Sequence, residues 1–563
     1  MASNLSAVVK ALSPQRGSAR ATMIPDNTSL RVFKISELAR IIASHLIPIS
    51  RGSAANLART CRCLEEPVLS ALWEVQVSLP ILLKVLPEAN WRIDGATGNY
   101  IVCALDLPME GLNTQVYGYQ FGLVVDPSSE AWGRIQRYAS WMRQARLDQW
   151  WGLGEETLRI LRLNAPASGW FPALQNLDWF ITKSNLPFAD LFFSPHLKKV
   201  SVYPSLSWDH SGIPPDVRPA IASTISALPA STLQSLIIFP SSSWSHMTPW
   251  ADFTNSLSSV VLRCGPSFTE FISMIPLSGA AVDHLIRLPH LTTCHIDGPP
   301  PSSSPSDPLV FPPLTKLALR AGSVREWVPL LERLGSCVVP SSKVKGSLKS
   351  LRLPSPIIDA TSASIIQTFR NLVDLKVDRS CYGRGGESQC IFKLNNDDVT
   401  KLVMTLSQLD SLLLGRPCSN NTCATTVACL LPISVHCVGL RTLAIHFNTT
   451  NIVDDLRNIS DVPRFQELYS RPRCKLSCLD VYGMPLTLDD PGFETVVNGM
   501  IDIFPALGYC QEAVRGTGWR ELSERLRKPQ DGVNAPDTVG ECCLIFPLRL
   551  LHSRIAGEPV KRE

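Results

Sequence analysis

A six-residue pattern recurs along most of this chain and constrains its fold more than any other feature. The pattern is leucine, two variable residues, an apolar residue, one variable residue and a second apolar residue. About a dozen copies occur, and from Leu174 onward roughly 23 to 37 residues separate one copy from the next. The copies begin at Leu158, Leu174, Leu197, Leu233, Leu257, Leu291, Leu314, Leu348, Leu372, Leu409, Leu440 and Leu476. Repetition at such a period is typical of chains that stack one small unit on the next.

Each copy predicts a short β-strand, because its apolar positions alternate with variable ones. The variable positions, such as Lys349, Arg352, Lys376, Asp410 and Ser411, are expected to face away from the core. One such strand cannot bury its apolar side alone, whereas stacked copies bury it together. The repeats therefore predict an α/β fold, a leucine-rich-repeat-like solenoid with parallel strands.

Helical patterns occur in the connections between several copies, as a parallel sheet requires. In these connections apolar residues recur every three to four positions. The clearest cases cover residues 323–335, 362–372, 396–409 and 425–440. Strand and helix are therefore expected to alternate along the solenoid.

The charge balance argues against a nucleic-acid-binding protein. The 563 residues contain 53 Lys and Arg against 49 Asp and Glu, and the net charge of +4 is too small for an electrostatic footprint on a polyanion. The nearest approach to a basic stripe is interleaved with leucines, as expected of a solvated face. No stretch reaches the roughly 18 apolar residues of a membrane-spanning helix, so no membrane partner is expected.

Cysteine usage bears on the compartment. The chain has 17 cysteines, an odd number, and no leader with a basic start and an apolar centre precedes them. We therefore expect a reducing compartment, cytoplasmic or nuclear. The first 25 residues contain Lys10, Arg16 and Arg20 with no acid before Asp26, which fits a disordered tail and also a mitochondrial presequence.

A short helical module is predicted over residues 30–76. An amphipathic helix with Ser36 as its N-cap comes first, and a second helix is expected over Ala54–Arg62. Pro67, in a first helical turn, is expected to open a third helix that ends near Trp73. Three short helices make a thin core, so the module is expected to keep an apolar face for a partner.

Cys61 and Cys63, inside this module, raise the question of a metal or redox site. Side chains two residues apart on a helix point roughly 200° apart, and only His45 lies near in sequence as a further zinc ligand. We therefore interpret Cys61 as a small buried hydrophobic residue and expect Cys63 to face water or a neighbour.

The module resembles an F-box, a three-helix unit that binds the Skp-family adaptor of a ubiquitin ligase. The resemblance lies in the order VFKISELARIIASHL, a break and NLARTCRCLEEPVLSALW. The chain departs from the family pattern at Phe33 and Lys34, which replace a Leu-Pro start, and at Leu64 and Glu65, where the family often has an aromatic residue. The resemblance implies an adaptor-binding face made of Phe33, Ile35, Leu38, Ile41, Ile42, Leu46, Leu57, Cys61, Leu72 and Trp73.

The module and repeats together resemble the F-box proteins with irregular leucine-rich repeats of mushroom-forming fungi. The likeness is closest over residues 409–456 and 479–501. It implies the substrate-recognition subunit of an SCF-type E3 ubiquitin ligase, in which the module holds a Skp-family adaptor and through it a cullin. The solenoid would then hold an unidentified target protein. Such an adaptor is not an enzyme, and the alternative is a leucine-rich-repeat scaffold without a ligase role.

These features together predict the domain organisation. An aromatic stripe of Trp132, Ile135, Tyr138 or Ala139, and Met142 predicts a core-facing helix that caps the solenoid. The predicted segments are a disordered tail at 1–28, the module at 30–76, a linker and helical cap at 77–155, the solenoid at 156–510, and a C-terminal cap with a partly disordered tail at 511–563.

Motifs that would indicate chemistry are scarce. The chain has no P-loop, no zinc-protease motif, no nucleophile elbow and no credible dinucleotide fingerprint, so no cofactor is expected. The best metal candidate is Cys418 and Cys423 with Cys429, His436, Cys437 and His446 after them. Cysteines also fill small gaps in leucine-rich cores, and we favour that interpretation, with no metal bound.

Overall fold

A computed structural model of the chain divides into two compact units, Met1–Val75 and Gln76–Glu563. The described residues are 36–76, 81–82, 85, 91–94, 99–101, 115–117, 119–123, 129–147, 151–153, 155–204, 213–238, 251–297, 313–319, 324–336, 348–354, 357–378, 391–414, 424–460, 474–481, 490–507, 509–512 and 522. The predicted tail at 1–28 lies outside them, as does the predicted C-terminal cap and tail at 511–563 apart from Gln511, Glu512 and Leu522.

The first unit contains three helices, α1 (Ser36–Leu46), α2 (Arg51–Ala58) and α3 (Arg62–Glu74). The Ser50 hydroxyl accepts a hydrogen bond from the Ser53 amide at 3.1 Å, which is why α2 begins earlier than predicted. The prediction that Pro67 opens the third helix is wrong, because Pro67 lies inside α3. Pro67 has no backbone N–H to donate within α3, and the helix buries Leu64, Val68 and Ala71 on either side of it.

Two arginines tie the three helices together. The Arg40 guanidinium on α1 lies 2.7 Å from the carboxylate of Glu74 on α3. The Arg51 guanidinium, at the start of α2, donates to the carbonyl oxygens of Leu72 at 3.3 Å and Val75 at 2.6 Å. Carbonyls at a helix C-terminus lack partners within the helix, so a cation there satisfies them and complements the helix dipole.

Removing the Arg51 side-chain donors is expected to loosen the end of α3. In Arg51→Met the alkyl chain remains, but the two carbonyls lose a charged donor. This loss should lower the stability of the end of α3 by about 1 kcal/mol, because the site is partly exposed. Hydrogen–deuterium exchange of the last turn of α3 should therefore be about fivefold faster than in the wild type. Arg59→Met, which changes an exposed arginine of the same unit, should leave that exchange rate unchanged. Equal rates in the Arg51 variant and the wild type would contradict the capping role.

The second unit is built on a parallel sheet. Its strands are β6 (Gln144–Leu147), β8 (Asn176–Ile181), β9 (Lys199–Pro204), β10 (Ser235–Ile238), β11 (Glu270–Pro276), β12 (Thr293–Asp297), β13 (Lys316–Leu319), β14 (Ser350–Pro354), β16 (Asp374–Asp378), β18 (Ser411–Leu414), β19 (Thr442–Ile445), β20 (Cys478–Val481) and β21 (Tyr509–Glu512). Each strand pairs in parallel with the next one named. Sheet order therefore follows chain order, as in a solenoid, and the predicted α/β class with parallel strands is confirmed.

Shorter strands accompany this sheet. A small sheet joins β2 (Trp91–Asp94), β5 (Tyr119–Leu123) and β7 (Trp151–Leu153), and β3 (Asn99–Ile101) pairs with β4 (Gln115–Tyr117). The strand β15 (Ile357–Ile358) pairs with β17 (Ile391–Phe392), and β1 is Val75–Gln76 at the division between the units. The segment 77–155, predicted as a linker and helical cap, also contains strands, including β6 of the parallel sheet.

Helices connect the strands of the second unit. They are α4 (Ser129–Trp141), α5 (Glu155–Leu163), α6 (Arg218–Ser226), α7 (Ala251–Leu262), α8 (Gly279–Leu285), α9 (Val324–Ser336), α10 (Ala360–Ile366), α11 (Asn396–Thr405), α12 (Leu430–His436), α13 (Ile452–Ser460) and α14 (Asp490–Ile503). Short 3-10 helices cover Leu186–Phe192, Ala230–Thr232 and Val427–Cys429. The four helical connections predicted between repeats are confirmed, as α9, α10, α11 and α12.

The aromatic stripe predicted in the linker segment faces the core. Trp132, Ile135, Ala139 and Met142 are buried, whereas Tyr138 is only half-buried. The Trp132 ring packs against the Trp170 ring with centroids 5.5 Å apart. The stripe is therefore core.

Two of the predicted strands are helices. The copy at Leu158 lies in α5 and the copy at Leu257 lies in α7. Both copies place buried apolar residues three positions apart, Leu158 with Leu161 and Leu257 with Val260, and this spacing also puts them on one side of a helix. The remaining copies form strands β8 to β10, β12 to β14, β16 and β18 to β20.

A row of backbone carbonyls joins consecutive repeats. From β6 to β19 in the parallel sheet, the residue just before each strand accepts hydrogen bonds from two successive amides of the next repeat, as Gln234 does from Thr269 at 2.7 Å and Glu270 at 3.0 Å. This carbonyl row consists of the carbonyls of Arg143, Gln175, Lys198, Gln234, Thr269, Thr292, Thr315, Lys349, Val373, Asp410 and Arg441. Because the same connection recurs at each junction, the described repeats form one continuous stack.

Candidate functional site

The first unit leaves large apolar side chains at its surface. Leu38 is 36% exposed, Ile41 is 52% exposed and Ile49 is 75% exposed. The core of this unit is made mostly of small side chains, namely Ala39, Ala43, Ala54, Ala58, Leu64, Val68 and Ala71. Exposed apolar side chains grouped on one small unit are typical of a binding surface.

The exposed side of α1 is distinct from its core side. Ala39 and Ala43 are buried, and the mean direction of Leu38, Ile41 and Ile42 lies roughly 120° away from them around the helix axis. Small residues on the core side let α1 pack closely within its unit. We call Leu38, Ile41 and Ile42 the docking surface.

The residues implied by the F-box resemblance divide into three groups. Leu38 and Ile41 are exposed, and Ile42 and Trp73 are half-buried. The second group, which is partly buried against the core of the unit, consists of Leu46, Leu57, Cys61 and Leu72. These four side chains contribute to the internal packing of the unit, so they leave less surface for a partner. Phe33 and Ile35 lie outside the described residues.

Cys61 and Cys63 are closer together than their spacing predicts. The two Sγ atoms lie 2.9 Å apart, and one thiol donates a hydrogen bond to the other. Cys61 is the N-cap of α3 in extended backbone, with φ −157° and ψ 153°, so it does not follow the helical rotation of 100° per residue. The prediction that the side chains diverge is therefore wrong, as is the expectation that Cys61 is buried, since it is half-buried. Cys63 is exposed, as predicted.

The candidate zinc site contains four cysteines, and the two that the structure describes lie in the core. Cys429 and Cys437 are buried in the second unit, while Cys418 and Cys423 lie outside the described residues. Burial raises the pKa of the Cys437 thiol to about 12, so the thiolate that zinc requires is disfavoured. Within the described residues no group of three or more His, Cys, Asp or Glu side chains is placed to hold a metal ion.

Thiol labelling should separate the buried cysteines from the exposed one. Burial raises the pKa of Cys437 to about 12 and that of Cys474 to about 11, and the Cys474 thiol donates to the Leu440 carbonyl at 3.2 Å. In the native chain at pH 8 we expect iodoacetamide to modify Cys63 and to leave these two unmodified. Peptide mass spectrometry measures the labelled fraction at each site, and unfolding in guanidinium should make all three reactive. Rapid labelling of native Cys437 would contradict its placement.

The outward side of the sheet in the second unit is polar where predicted. Lys349 is exposed, and Arg352 and Lys376 are half-buried beside the buried leucines of the same strands. The Lys376 ammonium lies 3.4 Å from the Asp374 carboxylate, and the Ser350 hydroxyl donates to that carboxylate at 3.0 Å. These side chains form a fixed pattern of donors and acceptors on adjacent strands.

An aromatic patch on the same side of the sheet was missed by sequence reasoning. The Arg146 guanidinium lies 5.1 Å from the centroid of the Phe180 ring, and that ring stacks on Tyr203 at 4.8 Å. Burial, with the nearby Asp178 carboxylate, raises the pKa of the Tyr203 hydroxyl, which therefore stays protonated. The three side chains come from β6, β8 and β9, so the patch becomes visible only once β6 is known to be a strand.

Comparison with known proteins adds no assignment. No protein-family model matches the chain, and no characterised protein matches it in sequence. None of the helices that the structure describes is both long enough and apolar enough to cross a bilayer.

Proposed function

We propose that the chain is the substrate-recognition subunit of an SCF-type E3 ubiquitin ligase. In this proposal the first unit is an F-box that binds a Skp-family adaptor and through it a cullin. The second unit is a leucine-rich-repeat solenoid that binds the protein to be ubiquitinated, in the cytoplasm or the nucleus. The observation that carries the proposal is the docking surface, in which Leu38 and Ile41 are exposed on a three-helix unit whose own core consists largely of alanine.

The docking surface suits an apolar partner. Leu38 and Ile41 would each transfer apolar area out of water on binding, at about 25 cal/mol per Å². The Arg40–Glu74 ion pair and the Arg51 cap hold α1 and α3 in place before binding, so little order has to be gained when a partner docks.

The second unit suits recognition of a protein. Its outward side chains vary from charged to aromatic along the sheet, while buried residues on the same strands keep the stack intact. Aromatic and arginine side chains such as Phe180, Tyr203 and Arg146 are the types that contribute most to protein interfaces. Different outward residues therefore change the partner without disturbing the fold.

In this proposal the chain promotes ubiquitination by holding the target protein close to the ubiquitin carrier. A target held on the solenoid and a ubiquitin carrier held by the cullin belong to one assembly. A lysine of the target therefore meets the ubiquitin thioester of the carrier at a high effective concentration. The chain itself needs no catalytic residue for this task.

Binding to a purified Skp-family adaptor tests the proposal directly. Titration of the full chain with the adaptor should give a one-to-one complex with a Kd below about 1 μM, which corresponds to about 8 kcal/mol. An unrelated protein of similar size and charge serves as the control. The absence of detectable binding at about 100 μM adaptor would reject the ligase role. It would mean that the binding free energy is weaker than expected by at least about 2.7 kcal/mol. The chain would then be a scaffold that uses the solenoid alone.

A further inference from the structure

We propose that Cys61 and Cys63 form a redox site that closes reversibly to a disulfide. Their Sγ atoms lie 2.9 Å apart, and a disulfide bond is about 2.05 Å long, so the sulfurs need to approach by about 0.9 Å. The proposal does not depend on the function proposed above, because its readout is the covalent state of the two sulfurs.

The start of α3 explains why the two sulfurs meet. Cys61 precedes the helix in extended backbone, and Cys63 is the second residue of the helix. The change from extended to helical backbone between them turns the Cys61 side chain toward Cys63. Because the Cys61 side chain accepts no capping hydrogen bond, oxidation removes no cap from α3.

The Cys61 and Cys63 thiols differ in solvent exposure. Both are also more exposed than the other cysteines whose burial the structure describes. Cys63 is exposed and Cys61 is half-buried against the core of the first unit. The remaining cysteines whose burial the structure describes are all buried, namely Cys264, Cys294, Cys429, Cys437, Cys474 and Cys478. Burial raises the pKa of Cys264 and Cys437 to about 12, which disfavours their reactive thiolates. Among the cysteines whose burial the structure describes, a soluble disulfide therefore reacts first at Cys63.

Oxidised glutathione is the co-reactant in the chemistry we propose. The Cys63 thiolate attacks one sulfur of the glutathione disulfide, forms a mixed disulfide and releases one glutathione thiolate. The Cys61 thiolate then attacks the Cys63 sulfur, which forms the Cys61–Cys63 bond and expels the second glutathione thiolate. The two cysteine thiols lose two protons and two electrons, and one glutathione disulfide becomes two reduced glutathiones. Contact between the sulfurs makes the second step intramolecular and therefore fast.

The tryptic cleavage sites make the product easy to recognise. Trypsin cuts after Arg59, Arg62 and Lys84, so Cys61 and Cys63 fall in separate peptides, Thr60–Arg62 and Cys63–Lys84. The native full chain is treated with oxidised glutathione, its remaining thiols are blocked with N-ethylmaleimide, and it is unfolded and digested. We expect a disulfide-linked pair of these two peptides, which disappears when dithiothreitol is added before digestion.

Single-cysteine variants distinguish the two steps. In Cys61→Ser the resolving thiol is absent, so glutathione should accumulate on Cys63 as a stable mixed disulfide. Serine is a favourable N-cap residue, so this variant keeps the start of α3. In Cys63→Ser, Cys61 should react at least tenfold more slowly than Cys63 does in the wild type. Wild-type chain that yields two separately alkylated peptides, or a persistent mixed disulfide at Cys63, would overturn the proposal.

Discussion

Leu412→Ala is expected to lower the free energy of unfolding of the second unit by about 2 to 5 kcal/mol. Leu412 is fully buried in β18, in register with Leu375 on β16 and Leu443 on β19, which are also fully buried. Removing its side chain beyond Cβ leaves a cavity between two close-packed neighbours, and the parallel strands on either side restrict collapse around it. Urea unfolding followed by tryptophan fluorescence should show a lower midpoint with an unchanged slope.

Leu413→Ala is the matched control. Leu413 is the next residue of the same strand, points to the opposite side of the sheet and is half-buried. The same change there should cost less than about 1 kcal/mol, because much of that side chain is already in contact with water. Equal destabilisation by the two variants would contradict the assigned direction of the strand residues.

Ile41→Asp is expected to weaken binding of a Skp-family adaptor by at least about 100-fold, which is about 2.7 kcal/mol. This expectation rests on the proposed function. An aspartate on the docking surface would have to lose its water on contact with an apolar partner, and that desolvation costs several kcal/mol. Because Ile41 is 52% exposed in the chain, the first unit should fold as before. Titration calorimetry with the purified adaptor measures the change.

Asn56→Asp provides the control for added charge. Asn56 is exposed on α2 of the same unit, so this variant introduces a carboxylate outside the docking surface. It should bind the adaptor within about threefold of the wild type, a difference below about 0.7 kcal/mol. Ile42→Asp and Trp73→Asp should also abolish binding, but both side chains are half-buried, so circular dichroism has to establish that these variants fold. Wild-type affinity in Ile41→Asp would reject the docking surface.

Most of the parallel sheet can be predicted because its repeats carry leucine at the positions that point inward. An alternation of apolar and variable residues predicts a strand only where the same apolar residues would not also lie on one side of a helix. The copies at Leu158 and Leu257 are compatible with both structures. Other repeats escaped detection because a different residue fills the leucine position. Met142 and Phe268 take that place before β6 and β11, and both are buried. The repeat that contains β21 ends in Glu512 instead of an apolar residue.

The candidate site is harder to predict than the sheet. A helix with one apolar side is ordinarily expected to turn that side inward, yet α1 buries Ala39 and Ala43 and exposes Leu38 and Ile41. Alanine contributes little to an apolar pattern, so the core side of α1 gives a weak signal in the sequence. The contact between Cys61 and Cys63 depends on the residue at which α3 begins. Helix boundaries read from sequence are uncertain by a few residues, so the contact was not predictable.

The carbonyl row has a consequence for how such a chain changes in length. Every junction from β6 to β20 is made by equivalent backbone atoms, and these hydrogen bonds need no particular side chain at the joining positions. Duplicating or excising one whole repeat leaves matched donors and acceptors on both sides of the edit, whereas an edit of half a repeat leaves amides opposite no carbonyl. The stack is therefore modular, and its outward surface can be lengthened or shortened by genetic duplication and loss of complete repeats.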